Sequence, residues 1–130
     1  LLLALSVSTV SASPVALPRE EHLAQLKRLA GSDLERRWLD FLDQRNLPLP
    51  DEAQKIIERC NTSADFYYRD QRVAIFIDGP VHDQPDIAAR DVELLDCLMS
   101  EAGLCAIRFH YRDDWEQIVR QHAYVFGTAA

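Results

Sequence analysis

Apolar residues recur along this chain at two periods, and the change between them outlines a fold. From Arg19 onward Leu23, Leu26, Leu29 and Ala30 fall at helical spacing, and Gly31 offers a stop. A second helix is expected at once, because Ser32 is a good N-cap and Glu35 stands where a capping box puts its partner carboxylate. Leu34, Trp38, Phe41 and Leu42 then make one apolar stripe, and Pro48 and Pro50 forbid continuation. "EAQKIIERC" reads equally as a short strand or a helical turn.

The period then shortens. "ADFYY" at 64–68 is short and aromatic, as strands are, and "RVAIFID" at 72–78 is a second, more apolar strand. With only "RDQ" between them the two must be antiparallel neighbours in a hairpin. "GPVHDQPD" is a loop. Helical spacing returns from about Ile87 to Ala102 through Leu94, Leu95 and Leu98, closed by Gly103. "LCAIRFHY" at 104–111 is a third strand, and "DDWEQIVRQHAYVF" a final helix with Trp115, Ile118 and Val119 on one face. The strand–helix–strand passage from Val73 through Phe109 predicts a parallel crossover. The expected class is therefore α/β, a mixed β-sheet flanked by helices on both faces.

Composition narrows the partners more than the fold. The chain has 130 residues, enough for one core. Its net charge of −7 works against non-specific affinity for nucleic acid or anionic membrane, so a DNA role needs a local basic face or a divalent cation. Cys60, Cys97 and Cys105 are odd in number and lack a CxxC spacing, which predicts reduced thiols and a cytoplasmic location rather than a disulfide framework or zinc site. "LLLALSVSTVSASP" resembles the apolar part of a signal peptide but has no initiator Met or basic start, and it is too short to span a bilayer. Residues 1–18 are expected to be a linker or the remnant of a preceding domain, with a trimmed targeting segment as the alternative, and 19–130 the folded domain.

The chemistry gathers around "AIFIDGPVHD" at 74–83. If the hairpin pairs position 65 with 76, Asp78 becomes the diagonal neighbour of Asp65, roughly 7–8 Å away between α-carbons. Two carboxylates at that spacing suit one hard cation such as Mg²⁺. A one-residue slip would put them on opposite faces. His82 titrates near neutrality and suits proton transfer. Plainer roles exist for each: a strand-edge acid for Asp65, a turn residue before Gly79 for Asp78, a surface loop histidine for His82, the capping box for Glu35. Arg90 opens the long helix beside Asp91, and Arg108 and His110 alternate along the third strand. With Arg112, Arg90 and Arg108 are the candidate phosphate contacts.

"ADFYYRDQRVAIFIDGPVH", "RD" at 90–91 and "GLCAIRFHY" together resemble the restriction-endonuclease-like, PD-(D/E)XK, superfamily over about residues 32–127. The branch most resembled is that of the very-short-patch-repair endonuclease, as in domains at the C-terminus of bacterial DEAD/DEAH-box helicase proteins. The resemblance implies Mg²⁺- or Mn²⁺-dependent hydrolysis of DNA phosphodiesters, a DNA repair or processing role, and a helicase domain in the same parent chain. Asp65 matches the first metal-binding aspartate, and Glu35 matches a glutamate that some members carry on the first core helix. His82 matches the short-patch histidine. "AD" replaces "PD", Phe76 stands where the second acid is usual, and Asp78 where lysine is usual. A carboxylate at 78 either restores metal binding from a shifted position or marks a site that binds without cutting. The rival reading is accordingly an inactive endonuclease-like module that serves DNA or partner binding. A small-molecule phosphohydrolase lacks support, since no phosphate-cradling glycine loop is present.

Overall fold

The computed structural model describes residues 17–80 and 85–127, and for 85–91 the backbone alone. The head segment 1–16 and the loop residue His82 lie outside the described residues. Helices α1 (Arg19–Leu29) and α2 (Asp33–Gln44) come first, followed by strand β1 (Glu52–Ile57) and one 3₁₀ turn at Glu58–Cys60. β2 (Thr62–Tyr68) and β3 (Val73–Asp78) form the hairpin, and α3 (Pro85–Ser100) leads to β4 (Cys105–His110). The expected single last helix is instead two, α4 (Trp115–Gln121) and α5 (Ala123–Phe126), broken where His122 leaves helical geometry at φ −122° and ψ 53°.

The strands lie in the order β1-β2-β3-β4, with β1/β2 and β2/β3 antiparallel and β3/β4 parallel. The mixed sheet and the parallel crossover are thus as expected, and the undecided "EAQKIIERC" resolves into an edge strand plus a turn. Phe66 faces Ile75 and Tyr68 faces Val73, which is the register assumed for the hairpin.

Side chains from alternate positions build a core on each face. Phe66, Tyr68, Val73, Ile75, Ile77, Ile107 and Phe109 meet Leu26, Trp38, Leu42, Val119 and Phe126 from α1, α2, α4 and α5. On the opposite face Ala74, Phe76 and Tyr67 meet Leu98 of α3 and Leu104. Ser32 caps α2 by accepting the Glu35 N–H at 3.1 Å, an interaction worth about 1 kcal/mol. Buried Tyr68 donates its hydroxyl to the Pro48 carbonyl at 2.7 Å, tying the loop before β1 to the sheet.

The cysteine reading needs correction. Cys60 and Cys97 form a disulfide, with α-carbons 5.9 Å apart, and only Cys105 is a free, exposed thiol. Spacing along the sequence hid this pair because the turn after β1 and the middle of α3 meet only once the sheet's second face is covered. Among the described residues no helix is long and apolar enough to cross a membrane.

Candidate functional site

A cleft of about 580 Å³ opens at the end of the sheet where β3 runs out. Its lining includes Glu35 from α2, Asp65 from β2, Phe76 and Asp78 from β3, Arg108 from β4 and Leu94 from α3. The first of these acids marks a break in the strand pattern. Ala64 packs with Ala74 and Phe76 on one face, whereas Phe66, two residues on, packs with Ile75 and Ile77 on the other. The listed pairing of β1 with β2 passes from Ala53↔Phe66 to Lys55↔Ala64, and Gln54 between them has φ 55°. At that break Asp65 Oδ2 accepts the Ile77 N–H at 2.7 Å, so a side chain takes the place of a ladder carbonyl and the carboxylate is fixed against β3.

Asp78 is held differently. It ends the central β3, is 5% exposed, and accepts a hydrogen bond from Arg108 Nη1 at 2.8 Å. The parallel register puts Phe76 beside Arg108, and the guanidinium carbon lies 4.8 Å from the Phe76 ring centroid. Arg108 is thus clamped between an aromatic face and a carboxylate, both contacts that favour a planar delocalised cation. Removing one partner of a buried pair costs about 3–5 kcal/mol, because the other charge is left uncompensated. The turn beyond is pinned as well: the Tyr111 N–H donates to the Asp78 carbonyl at 2.9 Å.

Glu35, 8% exposed, lines the same cleft but is fully engaged in shaping it. Its carboxylate accepts from the Gly31 N–H at 2.8 Å, the Ser32 hydroxyl at 3.1 Å and the Gln54 amide at 3.1 Å. The last bond joins the start of α2 to the irregular point of β1, which no local pattern announced. Arg112 stands apart from the cleft lining; it is exposed on the turn after β4, over the Tyr111 ring. His110 Nδ1 accepts the Arg112 N–H at 3.2 Å, an arrangement that serves the turn. The backbone of Arg90 lies in α3, and its side chain, like His82, is outside what is described.

The donors suit a hard divalent cation. Carboxylate oxygens match Mg²⁺, which commonly takes one or two protein carboxylates and completes its shell with water and substrate phosphate. Asp65 and Asp78 meet that small requirement from opposite strands of one cleft. Among the described residues no group of three or more His, Cys, Asp or Glu is placed to hold a metal. Any such ion therefore rests on two acids plus ligands from outside that set.

The chain matches no family model, no curated protein and no solved structure.

Proposed function

We propose that this chain is a divalent-metal-dependent nuclease domain of the restriction-endonuclease-like kind, hydrolysing DNA phosphodiester bonds within a larger helicase or DNA-processing protein. The observation that carries the reading is that Asp65 and Asp78, from antiparallel strands, line one cleft together with a cation, Arg108. Asp65 and Asp78 would hold the ion, Mg²⁺ or Mn²⁺. When bound, such an ion polarises a phosphoryl oxygen and lowers the pKa of its water.

The chain's own residues do the remaining work in this proposal. The Ile77 N–H orients Asp65, and Arg108 orients Asp78. Glu35 and Gln54 set the wall of the cleft through their mutual hydrogen bond. His82, on the loop after β3, is assigned the proton transfer. Arg108 and Arg90 are assigned to phosphate, and exposed Arg112 to the DNA backbone beyond the cleft. A cytoplasmic location goes with this reading, and there the Cys60–Cys97 bond would have to survive the cellular thiol buffers.

The test is nicking of supercoiled plasmid and cutting of single-stranded DNA by the purified chain with Mg²⁺ or Mn²⁺. Cleavage is expected, falling at least about a hundredfold in Asp65→Asn and Asp78→Asn, the scale on which loss of electrostatic stabilisation is felt. Cleavage that both variants retain would remove the proposal.

A second reading is favoured by a specific observation. Glu35, Asp65 and Asp78 each bond to groups of the protein itself, and Phe76 fills part of the cleft. On that reading the cleft is a structural junction of a module that binds DNA or a partner without cutting. The same assay separates the two. DNA retention without cleavage in either metal, unchanged in Asp65→Asn, is the signature of the module.

A further inference from the structure

Arg108 does not behave as a surface phosphate contact. Its side chain is 19% exposed, its Nη1 lies 2.8 Å from Asp78 Oδ1, and its guanidinium sits over Phe76. It reaches this place because β4 is parallel to β3 and Phe76 is paired with Arg108. The carboxylate it holds is one of the two offered to the cation in the proposed function. A guanidinium and a divalent ion therefore contend for one group.

We propose that Arg108 is a built-in counter-ion that must yield Asp78 before a divalent cation occupies the cleft, and that the released guanidinium, still seated on Phe76, then receives the phosphodiester. This deepens the nuclease reading and rests on it. Two physical points carry it. First, a buried carboxylate left without a partner is costly, so Arg108 stabilises the ion-free cleft and penalises any rival cation. Second, the planar donor fork suits phosphate oxygens as well as carboxylate, so the displaced side chain has a use a few ångströms from where it started. Cation and phosphodiester should then bind cooperatively, each favouring the arrangement that the other needs. Arg108 acts here as a positioning residue for Asp78 and as a gate on the ion.

The experiment is a direct Mn²⁺ titration, read by electron paramagnetic resonance of the free ion, on the purified chain with and without a short phosphorothioate oligonucleotide. Asp78→Asn serves as the site control. Arg108→Gln is expected to bind Mn²⁺ about tenfold more tightly than the parent chain, the scale of one charge-assisted contact removed from competition. Arg108→Lys, which keeps a cation, is expected to stay near the parent value. The oligonucleotide should tighten Mn²⁺ binding to the parent chain and not to Arg108→Gln. Because Arg108→Gln leaves a buried carboxylate exposed to its own desolvation, its thermal midpoint is also followed, and Mn²⁺ should raise it more than it raises the parent's.

Unchanged or weaker Mn²⁺ binding in Arg108→Gln, with binding still abolished in Asp78→Asn, overturns the gate while leaving the metal site standing. No Mn²⁺ binding by the parent chain or Arg108→Gln overturns both. A variant too unstable to titrate is replaced by Arg108→Lys with the oligonucleotide, where a lost cooperativity without a loss of ion affinity supports the gate and an intact one contradicts it.

Discussion

On one face of the sheet Trp38 stacks on Phe66 at 5.0 Å and meets Phe109 at 5.2 Å, with Phe126 and Tyr68 beyond. On the other, the inward residues are Ala64, Ala74 and Phe76 under α3, and the Cys60–Cys97 bond ties α3 to the turn after β1. The first face is held by aromatic area contributed from four helices. The second buries less and gains a covalent clamp. The cleft lies at the margin of that leaner face, where Phe76, Arg108 and Asp78 follow Ala74 and Ala106 in the pleat. A sparse face leaves room for a cleft, and a cross-link keeps its helical wall in place without filling it.

The comparison can be broken most sharply at Trp38. Trp38→Ala should lose about 4 kcal/mol in urea unfolding, the range for deleting a fully buried aromatic side chain. Trp38→Phe should lose much less, because the indole Nε1 has no acceptor among the described residues. If both variants cost the same, ring area is not what holds that face.

On the lean face, replacing Cys60 and Cys97 by Ser should cost about 3 kcal/mol, from the loop closure that a separation of 37 residues provides. The loss should be local in origin. Amide exchange is expected to quicken in α3 and the 3₁₀ turn before it does in α2, and uniform quickening would contradict the division between the faces. Reductant added to the parent chain should reproduce the double variant.

Two smaller effects concern the aromatic face. Burial, reinforced by the Asp51 charge and opposed by Arg19, pushes the Tyr68 hydroxyl well above the usual tyrosine value. The folded chain holds that proton more tightly than the unfolded chain. Its contribution is therefore complete below about pH 10 and fades as pH climbs from there toward the raised folded value. Tyr68→Phe should cost about 1 kcal/mol at neutral pH, for the lost bond to Pro48, and should flatten the alkaline decline in thermal midpoint. An equally steep decline in the variant would assign it to another group. Ser32→Ala should cost about 1 kcal/mol, as a lost N-cap does, and should loosen Glu35 at the cleft wall.

How much of this was legible depends on the distance over which each interaction acts. The cap of α2 needs only Ser32 and Glu35, three positions apart, and it was readable. The hairpin register follows from a short turn and alternating apolar residues, so the alignment of Phe66 with Ile75 was also readable. The partner of Asp78 was not. It comes from a strand thirty residues on, and its identity depends on the parallel register of β3 and β4. The Cys60–Cys97 bond escaped for the same reason, since it requires α3 to be laid on the sheet before the two sulfurs meet. β1 stayed ambiguous because Gln54, at φ 55°, interrupts its alternation where Asp65 interrupts that of β2. The break at Asp65 is visible only when both strands are seen together, yet it is what turns that carboxylate toward β3.

The central claim is that Asp65 and Asp78 form one divalent-cation site in the cleft at the end of β3. A crystal of the chain soaked in Mn²⁺ with a short phosphorothioate oligonucleotide tests it most directly, through the anomalous signal of the ion. The account predicts a single strong peak within coordination distance of both carboxylates, with Arg108 moved from Asp78 toward a phosphate. A cleft with no peak at saturating Mn²⁺ and Arg108 still on Asp78 would contradict it.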